Sequence, residues 1–483
     1  ADGYLILPQS LPIGHYRVEE VTAPEGYTIN QNYVEVTVDS NTAYYQDDVS
    51  KDIIIEAVYE NHPVKGELTV VKKGEVLDGY KKDFTYKVQN LAGAVFAVYA
   101  AEDIYTADFQ KDSNGNRILE YAKDELVAEL TTGKDGTATL KNLPLGTYKV
   151  VEKTAPEGFV QNSEAQNVQF VYAGQDTPVV SESVEFSNER QKVEISAVKK
   201  DAENEKLLAG AEFALYSKED IKAGDAVIVK ADTLLTSAVT DENGKAVFGQ
   251  DLPFGTYYVK ETKAPAGFVS NGETIEVVAS YQGQKVEVVR LEEVFKNQPT
   301  ITEFTKSDLT TSVELDGATL TVLDQDKKTV DTWTSVKGEP HVIKRLHVGE
   351  TYILREEFAP YGYLKAEEVE FTVADTAEVQ KVEMKDDVPT GRIIINKKGE
   401  FIGEITWNDM MAGAMESAFG YVTGSLKDVT FEVYALEDIK AADGESEDYY
   451  KKDDLVATIT TDALGYARAD DLPLGKYYVM EKE

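Results

Sequence analysis

Cysteine is absent from the 483 residues of the sequence. Its absence excludes disulfides, thiolate metal sites and cysteine nucleophiles. Histidine is nearly absent too, and the four that occur stand singly in or beside predicted turns: His15, His62, His341 and His347. A histidine metal cluster or a Ser/His/Asp triad therefore has little to build on, and we expect neither a metal site nor a cofactor.

Positive charge is scarce, because 49 Lys and Arg stand against 87 Asp and Glu and leave a formal net charge of -38. A surface this acidic repels phosphate backbones and anionic lipid headgroups, so we expect no nucleic acid partner and no membrane-surface partner. No apolar run approaches the roughly 18 residues that a membrane-spanning helix needs, and no signal peptide opens the sequence. If the protein is exported, we expect its targeting signal and its anchor to lie outside this sequence.

An internal repeat shows how the chain is divided. The repeat reads Tyr-x-Val/Leu-x-Glu-x-x-Ala-Pro-x-Gly-aromatic, and a Leu-x-x-Gly turn precedes each copy. We call its first half the Glu strand and its second half the Ala-Pro loop. The full copies are Tyr16–Tyr27, Tyr148–Phe159, Tyr257–Phe268 and Tyr352–Tyr363, and a shortened copy starts at Tyr477.

Three further repeats complete each unit. A strand that ends in Lys, the Lys strand, opens it, a Phe-rich block such as LAGAVFAVY from Leu91 follows, and a strand that ends in Asn or Asp, the closing strand, ends it. In this order three units are complete, at residues 64–190, 191–299 and 300–388. Residues 1–63 correspond to the back part of a unit and residues 389–483 to the front part of another.

The hydrophobic pattern predicts an all-β fold. Apolar residues alternate with polar ones between Gly, Pro, Asn and Asp turns, which is typical of half-buried antiparallel strands. Units of roughly 100 residues with about seven short strands suit an immunoglobulin-like β-sandwich, and the short linkers favour a tandem array that forms an extended rod. One helical turn is expected at residues 101–108 and another at 217–224.

Strand parity places charged side chains in the core of each unit, because residues two apart share one face of a sheet. The Glu strands point Glu152, Glu261 and Glu356 to the same side as their Tyr and Val residues. The Lys strands do the same with Lys72, Lys199, Lys306 and Lys397. The closing strands point Asn61, Asn188 and Asn297 inward, and in the third complete unit Asp386, with Asp387 as the alternative.

A buried Lys, Glu and carboxamide each cost several kcal/mol unless they are paired. Burial lowers the pKa of Lys and raises that of Glu, so a neutral amine can act as a nucleophile while an acid shuttles protons. The expected product is an isopeptide bond, with ammonia leaving from Asn or water from Asp. The alternative is that each Lys forms only a structural ion pair with Glu.

These residues resemble the CnaB-type (SpaA-type, prealbumin-like) domains of Gram-positive collagen adhesins and sortase-assembled pilins, and the resemblance covers nearly the whole chain. It implies three autocatalytic cross-links, with the Glu as the catalytic residue of each: Lys72, Glu152 and Asn188; Lys199, Glu261 and Asn297; Lys306, Glu356 and Asp386. The end segments depart from the pattern, since Glu20 and Asn61 lack a Lys, and Lys397 and Glu481 lack an acceptor. A sorting signal, a pilin polymerisation motif and a thioester Cys-Gln pair are not found.

The predicted function is a structural stalk of an extracellular, cell-wall-anchored adhesin or pilus-like protein on a bacterial surface. No enzymatic turnover is expected beyond the single formation of each isopeptide bond. The alternative is a ligand-binding adhesin module, in which one unit recognises a host matrix protein or a glycan. End-to-end self-association, with Lys397 of one molecule joined to Asn61 of another, is a less favoured hypothesis than a longer array.

Overall fold

A computed structural model describes residues 4–7, 9–39, 45–46, 53–106, 111–409 and 415–482. In these ranges the regular elements are β-strands, and none of the described residues lies in an α-helix. The same residues contain no helix with the length and apolar character that crossing a membrane requires. The predicted all-β fold class is confirmed.

The described residues of the segment 1–63 contain two short antiparallel pairs of strands. The first joins β1 (Gly14–Val18), which is the Glu strand of this segment, to β2 (Val34–Val38). The second joins β3 (Tyr45–Gln46) to β4 (Ile53–Ile54).

Residues 64–190 form two sheets around one core. Their strands are β5 (Lys65–Tyr80), β6 (Phe84–Asn90), β7 (Val95–Ala100), β8 (Ile104–Tyr105), β9 (Leu119–Tyr121), β10 (Leu126–Thr131), β11 (Thr137–Leu143), β12 (Gly146–Thr154), β13 (Gln166–Phe170) and β14 (Val179–Asn188). One sheet has the order β11-β5-β14, with β6 also paired to β5, and the other has the order β10-β7-β12-β13. The two sheets enclose a core that contains Phe96, Tyr148, Phe170 and Phe186.

Residues 191–299 repeat this arrangement. Their strands are β15 (Lys192–Asp201), β16 (Glu212–Ser217), β17 (Ile221–Ala223), β18 (Ala226–Val229), β19 (Leu234–Val239), β20 (Lys245–Leu252), β21 (Gly255–Lys263), β22 (Thr274–Ala279) and β23 (Val288–Asn297). The sheets have the orders β20-β15-β23 and β19-β16-β21-β22, and β17 pairs with β18.

Residues 300–388 have the same two sheets without added strands. Their strands are β24 (Ile301–Asp308), β25 (Thr319–Leu323), β26 (Thr329–Thr334), β27 (His341–Lys344), β28 (Thr351–Phe358), β29 (Val369–Thr372) and β30 (Gln380–Asp386). The sheet orders are β27-β24-β30 and β26-β25-β28-β29. Seven strands in two sheets are thus the common framework of the three segments.

Residues 389–483 contain the front part of the same framework. Their strands are β31 (Thr390–Asn396), β32 (Lys398–Asp409), β33 (Met415–Ser425), β34 (Thr430–Ala435), β35 (Leu455–Thr460), β36 (Tyr466–Pro473) and β37 (Tyr477–Glu481). The pairings are β31-β36, the hairpin β32-β33, and β35-β34-β37.

One pair of strands in each complete unit is parallel. The Lys strand β5 and the closing strand β14 run in the same direction, with Lys72 opposite Phe186. The pairs β15-β23 and β24-β30 are parallel in the same register. The apolar alternation was interpreted as typical of antiparallel strands, and these parallel pairs depart from that interpretation. Alternation shows which face of a strand is buried, but it gives no information on the direction of the neighbouring strand.

The predicted helical turns are also wrong. Ile104 lies in β8, which pairs with β9, and Ile221 lies in β17, which pairs with β18. Both isoleucines are buried, and their burial in the sandwich cores outweighs the weak local preference for a helical turn. Residues 107 and 108 of the first predicted turn lie outside the described residues.

Candidate cross-link sites

The Lys strand directs its amine into the space between the two sheets. Along β5 the residues Leu68, Val70 and Lys72 are all buried, which is the period of two that parity requires. The Glu strand β12 belongs to the opposite sheet, so Glu152 enters the same core from the other side. The closing strand β14 lies beside β5 and ends at Asn188. The three side chains therefore converge from both sheets.

In the first complete unit these side chains are in direct contact. Lys72 Nζ donates to Asn188 Oδ1 and lies 3.0 Å from Glu152 Oε1. Asn188 Nδ2 donates to both Glu152 oxygens at 2.9 Å. The exposed fractions of Lys72, Glu152 and Asn188 are 0%, 1% and 4%. Glu152 thus touches both the amine and the amide nitrogen in a buried site.

The second complete unit repeats the arrangement. Lys199 Nζ lies 2.5 Å from Asn297 Oδ1 and 2.8 Å from Glu261 Oε1. Asn297 Nδ2 donates to the two Glu261 oxygens at 2.9 and 3.0 Å. All three residues are buried. The same geometry has therefore been built twice from different surrounding sequences.

The third complete unit has a carboxyl group as the acceptor. Lys306 Nζ contacts Asp386 Oδ1 and lies 3.1 Å from Glu356 Oε1, and all three residues are buried. Asp387 is exposed, and its carboxylate accepts the N–H of Val388 instead. Of the two alternatives, the structure brings Asp386 to the amine.

Phenylalanine rings lie next to the amines of the first two complete units, and the sequence analysis did not predict them. We call these rings the aromatic cover. The rings of Phe96 and Phe186 lie 4.9 Å apart, with Lys72 Nζ 6.0 Å from the Phe96 ring centre. Equivalent rings in the second unit, Phe213 and Phe295, lie 5.7 and 5.8 Å from Lys199 Nζ. The sequence contained a pattern that could have predicted these rings. One Phe recurs in the Phe-rich block, and another lies two residues before each of these Asn acceptors.

Burial sets the protonation of these groups. Removal from water lowers the pKa of the Lys72 amine and of the Lys199 amine, although the neighbouring Glu carboxylate opposes the change in each case. Burial, with a contribution from the neighbouring Glu356, raises the pKa of Asp386 to about 6. Burial therefore shifts the Lys72 and Lys199 amines towards their neutral form and Asp386 towards its neutral acid form.

Backbone N–H groups hold three of the Glu side chains in place. The residue ten positions after the Glu donates to its Oε2: Asn162 to Glu152 at 2.8 Å, Ala366 to Glu356 at 2.7 Å and Asn30 to Glu20 at 2.7 Å. These donors follow the Ala-Pro loop, which folds the chain back over the Glu strand. The ten-residue separation between each Glu and its donor can be read from the sequence. The hydrogen bond itself could not be predicted, because any residue except proline can supply a backbone N–H.

A tyrosine fixes the start of most Glu strands. Its hydroxyl donates to the carbonyl oxygen of a proline four residues earlier, in the Leu-x-x-Gly turn, at 2.5 to 2.8 Å. The pairs are Tyr16 with Pro12, Tyr148 with Pro144, Tyr257 with Pro253, and Tyr477 with Pro473. The bond ties the turn to the strand and so sets the position of the Glu four residues further along.

The end segments each bring two of the three residue types together. Asn61 Nδ2 donates to Glu20 Oε2 at 2.7 Å and to the Thr28 carbonyl at 2.8 Å. Lys397 Nζ lies 2.6 Å from Glu481 Oε2, with both side chains partly exposed. In each pair the two side chains are in hydrogen-bond contact, as in the complete sites.

A family model described as the SpaA prealbumin-like fold domain matches residues 1–52, 77–183, 193–292, 300–388 and 421–483. The chain belongs to this family. The matches recur in all five segments, so these SpaA-type domains follow one another along the chain.

Among solved structures, the chain is similar to the Bacillus anthracis TIE protein, with 22% identity, a TM-score of 0.46, and 77% of this chain and 68% of that chain covered. It is also similar to BcpA, the major pilin subunit of Bacillus cereus, with 15% identity, a TM-score of 0.33, and coverage of 67% and 100%. For the major pilin SpaD of Corynebacterium diphtheriae the identity is 16%, the TM-score 0.28, and the coverage 67% and 97%. No curated protein sequence matches the chain. The family assignment rests on the family model alone.

Proposed function

We propose that this SpaA-type array is a structural stalk of an adhesin or pilus-like protein on a bacterial surface, and that each complete unit is closed by an autocatalytic isopeptide bond. The observation that carries the proposal is the contact of Lys72 Nζ with Asn188 Oδ1, with Glu152 touching both partners in a buried site. An ion pair alone would need no carboxamide. The recurrence of Asn at Asn297 therefore favours an amide-forming site.

The reaction with an Asn acceptor needs no cofactor. The neutral Lys72 amine attacks Cγ of Asn188, and the Nζ–Cγ bond forms while the carbonyl electron pair moves onto Oδ1. Glu152 takes a proton from Nζ and gives it to Nδ2, with which it is in hydrogen-bond contact. The Cγ–Nδ2 bond then breaks, and ammonia leaves. Folding supplies the rate by holding the amine and the carbonyl at a high effective concentration.

The reaction with an Asp acceptor releases water. A carboxylate is a poor acceptor for an amine, whereas the neutral acid has a hydroxyl that can leave. The raised pKa of Asp386 increases the neutral fraction. The neutral Lys306 amine attacks Cγ of Asp386, and the Nζ–Cγ bond forms. Glu356, 3.1 Å from Lys306 Nζ, takes a proton from Nζ and gives it to that hydroxyl. The Cγ–O bond to the hydroxyl then breaks, the carbonyl re-forms, and water leaves.

The position of the bond determines how a unit carries tension. The Lys strand is first and the closing strand is last, and they are parallel neighbours, so a pull on the two ends shears them past each other. With the bond in place, tension entering at Lys65 runs along β5 to Lys72, crosses to Asn188 and leaves the unit. The residues between Lys72 and Asn188 carry almost no load.

Single-molecule force spectroscopy on the full chain tests this function. The three complete units should not extend, whereas Lys72→Ala should add one extension event. The event should release the 116-residue separation between positions 72 and 188, which is about 400 Å at about 3.5 Å per residue. Lys73→Ala, on the same strand but partly exposed, is the matched control. If the unchanged chain already shows three such events, the stalk proposal is wrong.

A further inference from the structure

The Ala-Pro loop has a contact that the cross-link does not use. Ala155 N–H donates to Gln284 Oε1 at 2.9 Å, and Gln161 N–H donates to the Gln284 carbonyl oxygen at 2.9 Å. Gln284 Nε2 in turn lies 3.2 Å from Gln161 Oε1. Gln284 belongs to the following unit, 191–299. One glutamine thus binds the preceding loop through its side chain and its backbone together.

The preceding junction has the same contact. Ala23 N–H donates to Gln175 Oε1 at 2.8 Å, and Ile29 N–H donates to the Gln175 carbonyl oxygen at 3.0 Å. Gln175 Nε2 reaches the Val21 carbonyl at 3.3 Å. In both junctions the donors are the Ala of the Ala-Pro loop and the residue six positions later. The repetition at two junctions shows that the contact belongs to the repeat.

The loop that presents each glutamine is shaped by a glycine. Gly174 and Gly283, which directly precede the glutamines, have φ angles of +104° and +91°. Residues other than glycine rarely adopt a backbone conformation with φ in this range. The Gly-Gln pair therefore forms a turn that projects the glutamine towards the preceding unit.

The third junction uses a charged residue at this place. Ser270, six residues after Ala264 of the Ala-Pro loop, donates its N–H to Asp375 Oδ1 at 3.0 Å. Arg345 of the same following unit binds Asp201 Oδ2 at 2.8 Å. At this place the third junction has a carboxylate where the first two have a neutral amide.

We propose that the Ala-Pro loop is a docking site for a Gly-Gln turn of the next SpaA-type domain, and that Gln175 and Gln284 hold consecutive units together in a fixed orientation. The backbone donors and the amide oxygen are neutral, so the contact is independent of the acidic charge of the units. This inference deepens the proposed stalk function, because a stalk transmits position only if its joints are held. It does not depend on the cross-links themselves.

Residue-resolved hydrogen exchange on the full chain tests the proposal. Ala23, Ile29, Ala155 and Gln161 should be protected, since their acceptors belong to the next unit. Gln284→Ala should remove the protection of Ala155 and Gln161 and leave Ala23 and Ile29 unchanged, and Gln175→Ala should do the reverse. Gln282 lies two residues away, and among the described residues its side chain hydrogen-bonds to Ser280. Gln282→Ala should therefore leave all four amides protected.

Two results would overturn the docking role. The first is rapid exchange of Ala155 and Gln161 in the unchanged chain. The second is that Gln284→Ala exposes Ala155 alone while Gln161 stays protected, because the side chain would then not hold the backbone contact. Measuring the intact mass of the same samples shows how many isopeptide bonds have formed. Failure of the docking proposal can therefore be distinguished from failure of the cross-link proposal.

Discussion

Lys72 and Asn188 are 116 residues apart in the chain, yet their side chains touch where β14 ends beside the middle of its parallel neighbour β5. The contact closes the unit from its first strand to its last. The same relationship holds for Lys199 with Asn297 and for Lys306 with Asp386. It would explain why the proposed reactive groups lie on these two strands, since a bond between the first and the last strand bypasses nearly the whole unit.

Replacing the proposed proton shuttle should prevent one cross-link. Glu152→Ala removes the only carboxyl group that contacts both Lys72 and Asn188 among the described residues. We expect the chain to retain the mass of one ammonia, while the other two units react as before. Glu185→Ala is the control, because Glu185 lies on the closing strand β14 with Asn188 and its side chain is exposed. An unchanged mass deficit in Glu152→Ala would refute the shuttle role.

Loss of a cross-link should lower stability mainly through the unfolded state. Lys72→Ala reopens a 116-residue loop, and the chain-entropy model treats this closure, like a disulfide, as worth about 4 to 5 kcal/mol. Chemical denaturation of the full chain should therefore show an early transition for residues 64–190. Asn188→Asp should keep the bond, with water leaving in place of ammonia, and should keep the stability. Equal loss of stability in both variants, with intact mass showing the bond formed in Asn188→Asp, would mean that the bond is not responsible.

The third cross-link should depend on pH in a direction set by its acceptor. The pKa of Asp386 is raised to about 6, so the neutral acid is the main form below this pH and the carboxylate above it. In chain refolded from denaturant, loss of water should slow as the pH rises through 6. Asp386→Asn should remove this fall, because a carboxamide does not titrate. Faster water loss at high pH in the unchanged chain would contradict the account.

Much of the site follows from strand parity, and the rest depends on which strands are neighbours. The inward direction of Lys72, Glu152 and Asn188 could be predicted because residues two apart share a face. The parallel pairing of β5 with β14 could not, because it joins elements at opposite ends of a unit. The Phe96 ring beside the amine is likewise a product of packing between sheets.

Local signals were least informative at the turns. The recurring Glu-Asp-Ile suggested a helical turn, but burial of Ile104 and Ile221 in the cores draws these segments into short strand pairs. The role of Gln284 was equally hidden, since its partners are backbone N–H groups of another unit. Backbone donors leave no trace in residue type, so such contacts emerge only from the structure.

The aromatic cover of the amine should affect the rate of cross-linking. Phe213→Ser would admit water next to Lys199 and weaken the burial that lowers the pKa of this amine. We expect slower loss of ammonia from residues 191–299 during refolding, with the other units unaffected. Phe254→Ser, at a turn of the same unit where the ring is partly buried, controls for loss of a ring elsewhere. Identical rates in the two variants would argue against a role for the cover.

The central claim is that each complete unit carries one amide between its Lys and its acceptor. Intact mass of the full, denatured chain tests it most directly. We predict a mass below that of the sequence by two molecules of ammonia and one of water, with Lys72 joined to Asn188, Lys199 to Asn297 and Lys306 to Asp386 in the sequenced peptides. A mass equal to that of the unmodified sequence would contradict the claim.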